Sequence, residues 1–163
     1  ERVTCMKLGD FIDIKAVVPE LKSTERDDVI GELLDALVES GSLDASLRDE
    51  LAKQIIDREK HGSTGFGKGV AVPHVKHAGI KKMVATIGVS QRGVDFNALD
   101  KAPVYSVVLL LSPEDKPDEH LQAMENIFRN LQKDMFRRFL RQSGSADDIK
   151  DLISEADNHQ LQA

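Results

Sequence analysis

Apolar side chains recur at helical spacing in the first third of the chain. Those expected to be buried are Val29, Ile30, Leu33, Leu34, Leu37 and Val38. The spacing predicts a helix that begins after Thr24 and stops at Gly41, since glycine suits the residue that follows a helix. Thr24 and Asp27 have the spacing of a capping box with a shorter acidic side chain, so we expect Thr24 to cap this helix.

A second amphipathic helix is expected after a short turn. Its buried side would carry Leu47, Leu51, Ile55 and Ile56. The pattern predicts a start near Asp44 or Ser46 and an end at His61 and Gly62. This helix would deliver Arg58 to the glycine-rich loop that follows.

Three stretches rich in apolar and β-branched residues predict strands. Residues 70–72 are short and apolar, residues 83–90 are rich in Val, Ile and Thr, and residues 104–111 are almost continuously apolar. Such a continuous run is typical of a strand that is covered on both faces of a sheet. We interpret residues 91–93 as a turn and residues 6–14 as an edge strand or an extended arm.

The last third of the chain returns to helical spacing. Helices are expected from Pro117, between Met135 and Leu140, and from Ser145. Their buried positions would include Leu121, Met124, Ile127, Phe128, Leu131, Ile149, Leu152 and Ile153. Helices thus precede, interrupt and follow the strands, which predicts that residues 1–163 form one layered α/β domain with a frayed end at residues 158–163.

Composition and charge narrow the class of protein. The 163 residues are 40% apolar, enough for a core of ordinary size, and carry a formal net charge of −6. This acidity argues against a nucleic-acid surface, although arginines in the last third leave room for a local acidic partner. The single cysteine, Cys5, favours a reducing, cytoplasmic setting. No apolar run approaches the roughly 20 residues that cross a bilayer and no secretory leader is visible, so we expect a soluble protein without membrane insertion.

Residues 58–76 carry the strongest signal for chemistry. Glycines at positions 62, 65, 67 and 69 relieve steric limits on the backbone and let N–H groups converge, which suits an anion. Pro73 stiffens the chain that enters His74. His120 lies one turn into the helix after the strongest strand, and His74 also lies at a strand end, so the two could face each other.

Residues 58–74 read Arg-Glu-Lys-His-Gly-Ser-Thr-Gly-Phe-Gly-Lys-Gly-Val-Ala-Val-Pro-His. This string resembles the active-site signature of the enzyme IIA domains of the bacterial phosphoenolpyruvate-dependent phosphotransferase system, of the fructose and mannitol type with its nitrogen-regulatory branch. His120-Leu121 and residues 136–140 are similar as well, so the resemblance covers nearly the whole chain. It implies a single-domain α/β fold with a mixed central sheet flanked by helices.

The resemblance also implies roles for individual residues. By position, His74 matches the histidine that is phosphorylated, His120 the second active-site histidine, and Arg58 the arginine that neutralises the phosphoryl group. A neutral imidazole is available as a nucleophile near neutral pH, while the amides or hydroxyls around Ser63 and Thr64 could hold the remaining oxygens. The implied function is a phosphoryl carrier that needs no metal and no cofactor. An HPr-like phosphocarrier protein would supply the group, and an enzyme IIB or a regulatory target protein would receive it or respond to it.

Two positions depart from the family pattern. Val75 stands where the residue after the histidine is usually glycine, which leaves the transfer rate and the partner open. Lys68 stands where some mannitol-type members carry an acidic residue, which favours the nitrogen-regulatory or fructose-like side.

Each candidate residue also has a simpler interpretation. These are a structural histidine for His74, a helix-surface position for His120, an ion pair with Glu59 or Asp57 for Arg58, and turn formation for Ser63 and Thr64. The pair His74-x-x-His77 invites a metal site, but no cysteine or carboxylate follows at ligand spacing.

Three other functions compete with the carrier. The chain could be a regulatory binding module whose phosphorylation state selects its partners, or a degenerate homologue in which Val75 has ended transfer. A hydrolase that pairs Ser63 with His74 is disfavoured, because Ser63 lacks a nucleophile-elbow context and no third orienting carboxylate is evident.

Overall fold

The computed structural model describes residues 6–158 and shows a mixed sheet between two layers of helices. The helices are α1 (Arg26–Glu39), α2 (Arg48–His61), α3 (Pro117–Leu131), α4 (Asp134–Gln142) and α5 (Ala146–Asp157). The strands are β1 (Gly65–Gly67), β2 (Val70–Ala71), β3 (His74–His77), β4 (Val84–Val94) and β5 (Val104–Pro113). Among the helices within these residues, none is long and apolar enough to cross a membrane. The predicted layered α/β fold with a mixed sheet is confirmed.

The strand β5 lies at the centre of the sheet. Its Leu110 pairs with His74 of the parallel strand β3 on one side and with Ala85 of the antiparallel strand β4 on the other. The strand β2 also runs parallel to β5, with Val70 opposite Ser106, and β1 pairs antiparallel with β2. β2 and β3 therefore follow one another along the same edge of β5, and His74 begins β3 instead of merely following a strand.

Helices cover both faces of β5, as its continuous apolar sequence predicts. Leu109 and Leu111 pack in a cluster with the buried side chains of α1 and α2. Val108 and Leu110 point the other way and pack with the side chains of α3, α4 and α5. The alternation separates two hydrophobic clusters that share one sheet.

The predicted capping box at Thr24 is wrong. Helix α1 begins at Arg26 and has no side-chain cap. The carbonyl of Thr24 accepts a hydrogen bond from Asp95 N–H at 2.8 Å, and Arg26 N–H donates to the carbonyl of Asp95 at 3.1 Å. The chain therefore pairs with the end of β4 before it turns into the helix.

Other predicted helix boundaries are confirmed. Gly41 follows α1 with a φ of 87°, a conformation that favours glycine. Asp44 accepts a hydrogen bond from Ser46 N–H and starts a 3₁₀ turn that leads into α2. Ser145 caps α5, because its side chain accepts a hydrogen bond from Asp148 N–H.

The prediction of a strand or extended arm for residues 6–14 is wrong. This segment forms a 3₁₀ turn over Leu8–Asp10 and a single bridge between Ile12 and Ala85. The carboxylate of Asp157, at the end of α5, accepts hydrogen bonds from Leu8 N–H at 2.7 Å and Gly9 N–H at 2.9 Å. This acceptor holds the turn and stops the segment from extending. Cys5 and residues 159–163 lie outside the described residues.

Two further predictions are corrected by the packing. Residues 91–93 do not form the predicted turn, because they continue β4 through a register shift. Within this shift Gly93 has a φ of 93°, and its N–H donates a hydrogen bond to the side chain of Ser90.

Leu121 is predicted to be buried but is 58% exposed. The buried face of α3 is formed instead by residues that include Ala123 and, one turn further along the helix, Ile127.

A buried hydroxyl without a partner gives a first prediction. Thr86 of β4 is fully buried, and its Oγ1 has no hydrogen-bond partner among the described residues. Replacing Thr86 with the isosteric valine removes the desolvation cost, so we expect the free energy of unfolding to rise by about 1–2 kcal/mol. Urea denaturation measures it. Ser90→Ala is the control and should destabilise, because Ser90 Oγ accepts from Gly93 N–H at 3.0 Å. A loss of stability in Thr86→Val would contradict the argument.

Candidate functional site

Two histidine rings meet where the end of β5 leads into α3. His74 lies on β3, and His120 lies in the first turn of α3, whose first residue is Pro117. The ring centroids are 5.5 Å apart and the ring planes are inclined by 47°. His74 is partly exposed, whereas only 9% of His120 is exposed. The structure therefore brings together the two histidines that the sequence placed at strand–helix junctions.

The proton on His74 can be assigned from its hydrogen bond. Its Nδ1 lies 2.8 Å from the carbonyl oxygen of Val72. A carbonyl oxygen only accepts, so Nδ1 carries the proton and donates it. In the neutral ring the lone pair is then on Nε2, which has no hydrogen bond to any described residue. Of the two ring nitrogens, only Nε2 then has a lone pair that can act as a nucleophile.

His120 has the opposite arrangement. Its Nδ1 lies 2.6 Å from Oγ of Ser112, a side chain that is fully buried. No other described residue bonds to this hydroxyl, so its proton is satisfied only if Oγ–H donates to Nδ1. Nδ1 is then the acceptor, and the proton of the neutral ring is on Nε2. His120 therefore offers an Nε2–H donor on a ring whose centroid lies 5.5 Å from that of His74.

The electrostatics keep His120 neutral. Burial of the ring, and then the neighbouring His74 and Lys76, lower the pKa of His120 to about 4. A pKa near 4 leaves the imidazole uncharged throughout the physiological range. The ring can thus donate one hydrogen bond without adding a charge to the site.

Arg58 lies in the last turn of α2. Its Nη1 donates to the carbonyl of Gly62 at 2.7 Å, so the guanidinium satisfies a terminal carbonyl of the helix. Within residues 6–158, no hydrogen bond or ion pair joins Arg58 to His74 or His120. The ion pair with Glu59 or Asp57 that the sequence allowed is not formed either.

A buried carboxylate shapes the loop after α2. Glu59 is only 2% exposed. It accepts hydrogen bonds from the N–H of Thr64 at 3.0 Å and from its Oγ1 at 2.5 Å. Ser63 Oγ accepts from Gly65 N–H at 2.9 Å and donates to the carbonyl of Phe96 at 3.4 Å. Both hydroxyls are thus bonded to other protein groups, and Ser63 does not form the pair with a histidine that a hydrolase would need.

His77 contacts a carboxylate instead of a second histidine. Its Nε2 pairs with Glu50 of α2, and its Nδ1 accepts from Gly79 N–H at 2.8 Å. The part of the chain that the structure describes contains no group of three or more His, Cys, Asp or Glu side chains that could hold a metal ion. The alternative of a metal site at His74-x-x-His77 therefore finds no support.

Val75, the departure from the family pattern, occupies an ordinary strand position. It pairs with Leu111 in β3–β5, and its side chain packs against the cluster of α1 and α2. A β-branched residue fits such a half-buried pleated position well. The side chain points into the protein, to the face of the sheet opposite α3.

Sequence reasoning missed two residues that organise this site. Ser112 is a polar residue at the end of the apolar strand β5, eight positions before His120, and that break in polarity was its only signal. Glu59 is part of the quoted motif, but its burial and its two bonds to Thr64 depend on how α2 packs.

Almost the whole chain matches the model of one protein family. The family model described as "Phosphoenolpyruvate-dependent sugar phosphotransferase system, EIIA 2" matches residues 10–156. The chain belongs to this EIIA family. The family expected from the resemblance is thereby confirmed.

Curated relatives include sugar-specific and regulatory proteins. This EIIA chain is 30% identical over 152 residues to the fructose-specific EIIA component of Haloferax volcanii, covering 90% of the chain and 97% of that protein. It is 30% identical over 149 residues to the nitrogen regulatory protein of Bradyrhizobium diazoefficiens, covering 91% and 95%. It is also 30% identical over 152 residues to the fructose-specific EIIABC component of Bacillus subtilis, but covers only 24% of that longer protein against 93% of its own length.

Solved structures share the fold of this EIIA chain. The nitrogen regulatory protein IIA-Ntr from Neisseria meningitidis superposes with a TM-score of 0.80 at 27% identity, covering 90% of this chain and 98% of that one. IIA mannitol from Escherichia coli gives a TM-score of 0.70 at 20% identity, with coverages of 86% and 97%. At 20% identity, the similarity to IIA mannitol shows a shared fold and nothing further.

Proposed function

We propose that this EIIA chain is a phosphoryl carrier in which Nε2 of His74 accepts the phosphoryl group. Membership of a phosphotransferase family supports phosphoryl transfer in general. The observation that carries the specific assignment is the His74 ring itself. It is partly exposed, its Nδ1–H donates to the carbonyl of Val72, and its Nε2 has no hydrogen bond to a described residue. The centroid of its ring lies 5.5 Å from that of His120.

Transfer of the phosphoryl group to His74 neither adds a proton to the ring nor removes one. The Nε2 lone pair of His74 forms the new N–P bond as the N–P bond of the donor phosphohistidine breaks, and the departing electron pair stays on the donor imidazole. The phosphorylated ring of His74 keeps its Nδ1–H, and its bond to Val72 stabilises the positive character that the ring gains. Positioning and charge compensation are the main demands of such a step.

Charge compensation falls to the surrounding residues. The Nε2–H of His120 donates to a phosphoryl oxygen without altering the charge of the site. Arg58 leaves the carbonyl of Gly62 and offers its planar donors to the phosphoryl group, to which a guanidinium is well matched. The hydroxyls of Ser63 and Thr64 and the N–H groups of Thr64 and Gly65 are already bonded to other protein groups, so they reach a phosphoryl oxygen only after these bonds are released.

The partners follow from the same chemistry. The donor is an HPr-like carrier with a phosphohistidine, and the downstream acceptor is an enzyme IIB or a regulatory target. A fold neighbour, IIA mannitol of Escherichia coli, has been solved in complex with phosphorylated enzyme IIB, which supports an acceptor of that type. We place the reaction in the cytoplasm, in agreement with the sequence expectation.

A regulatory role is the second candidate. It is favoured by the relatives described as nitrogen regulatory proteins, among them one from Pseudomonas aeruginosa that is 35% identical over 108 residues. In that role the phosphorylation state of His74 selects partners, and onward transfer is secondary. A pull-down that compares wild type, His74→Ala and His74→Asp tests it, and an unchanged set of partners would contradict it.

The carrier function is tested by reconstituting the relay. We expect the chain, incubated with phosphoenolpyruvate, enzyme I and an HPr-like protein, to acquire one acid-labile phosphate. Phosphorus NMR and mass spectrometry of a peptide containing His74 should locate it on Nε2. Exchange of the phosphoryl group with the donor protein would also exclude the alternative of a degenerate homologue in which Val75 has ended transfer. Absence of the phosphate, with a known EIIA domain labelled in the same mixture, would reject the carrier proposal.

A further inference from the structure

A cavity with several charged side chains lies near the start of β5, on the sheet face that α4 covers. Its volume is about 490 Å³, within the usual range of small-molecule sites. Ser106 lines it and precedes Leu110, the partner of His74, by four residues, which is about 13 Å along a strand. The cavity is therefore separate from the histidine pair. The side chains that give it its character are those of Lys68, Tyr105, Arg138 and Arg141.

Three cations at this cavity are electrostatically unpaired. Within residues 6–158, no ion pair involves Lys68, Arg138 or Arg141. The one carboxylate that lines the cavity, Asp134, is bonded to Arg137. The chain has 28 acidic residues and a net charge of −6. A cavity that gathers three unpaired positive charges on such a chain is suited to an anion.

The Arg141 guanidinium is held in place before any ligand binds. Its central carbon lies 3.5 Å from the centroid of the Tyr105 ring. That ring packs against Gly69 and Gly93, where an added Cβ would lie 3.2 Å from ring atoms. The side chain of Gln91 also donates to the carbonyl of Arg141 at 3.3 Å. A guanidinium that is stacked on a fixed ring keeps the N–H donors at its own edge free for a ligand. Its side chain also loses little conformational entropy when the ligand binds.

We propose that this cavity binds a compact small-molecule anion with at least two negative charges, supplied by phosphoryl or carboxylate groups. Both kinds of group match the planar donors of Arg138 and Arg141. Lys68, on the turn between β1 and β2, would close the other side of the ligand. The ligand would link α4 to the segment that leads to His74. The site goes beyond the phosphoryl-carrier function and does not depend on it.

The test is calorimetric titration of the whole chain with pyrophosphate and, separately, with citrate at constant ionic strength. We expect saturable binding of one or both anions. Binding of pyrophosphate alone indicates a site for phosphoryl groups, binding of citrate alone a site for carboxylates, and binding of both a site that accepts either group. Arg141→Gln and Arg138→Gln should each weaken binding by about tenfold, the effect of losing one charged hydrogen bond. Lys150→Gln is the matched control, because it removes one positive charge from an exposed position on α5 and should bind as wild type does.

Two results would overturn the proposal. One is the absence of saturable binding of either anion up to roughly 10 mM, beyond the dissociation constant of a weak site. The other is an equal loss of affinity in Lys150→Gln and in the two arginine variants, which would show a general effect of charge. Arg138 is exposed and does not pack on Tyr105, so Arg138→Gln keeps the test valid if Arg141→Gln is unstable. The titration uses no phosphoryl donor, so its result is independent of the carrier test.

Discussion

Replacing His74 with glutamine is expected to abolish acceptance of the phosphoryl group, with a loss in rate of at least about 10⁴-fold. Glutamine has a similar volume, and its amide N–H can still reach the carbonyl of Val72, so the fold should persist. The lone pair of its amide nitrogen is delocalised into the carbonyl group, so it does not attack phosphorus. The measurement is the rate of transfer from a phosphorylated HPr-like protein, followed by the label retained under alkaline conditions and lost in acid.

The matched control for this variant is His77→Gln. His77 lies on the same strand, and its ring pairs with Glu50 and not with His120. Its substitution makes the same chemical change three residues away and should leave the transfer rate near that of wild type. Stoichiometric labelling of folded His74→Gln would show that another nucleophile carries the group, and it would end the assignment of His74.

The parts of the fold that depend on local patterns could be predicted from the sequence. The apolar spacing of α1, the cap at Ser145 and the continuous run of β5 each depend on residues close in the chain. The errors arose where distant residues decide. Thr24 does not cap α1 because Asp95, far along the chain, pairs with its backbone. Residues 91–93 look like a turn, yet β5 pairs with Val89 and Val94 on either side of them, so the strand continues through a register shift.

The same distinction applies to the candidate site. His74 and His120 could be predicted as site residues because each lies at a recognisable junction between a strand and the next element and matches a position in the family motif. Their separation of 5.5 Å depends on β3 and β5 running in parallel and on where α3 begins, which no local pattern specifies. The proton positions also depend on long-range placement, since Ser112 must be buried with no second partner before its hydroxyl can fix the tautomer of His120.

The second large effect is expected at His120. Replacing His120 with alanine removes the Nε2–H donor, and the rate of phosphoryl transfer to His74 should fall by about 10²–10³-fold, as for the loss of one preorganised donor. The effect should be on the transfer step, because His74 keeps its own bond to Val72. Since the pKa of His120 is lowered to about 4, the neutral donor persists throughout the pH range of the assay.

Ser112→Ala isolates the role of the tautomer. Without the hydroxyl, Nδ1 of His120 loses its donor and the ring can hold its proton on either nitrogen. We expect a loss in rate of roughly tenfold, together with a change in the nitrogen-15 shifts of His120, which in wild type should show Nδ1 unprotonated. Ser143→Ala is the control: it also removes a buried hydroxyl, one that donates to the carbonyl of Phe139, and should leave transfer unchanged. A wild-type spectrum with the proton of His120 on Nδ1 would contradict the assignment, because the ring would then present a lone pair, and not a donor, to the phosphoryl group.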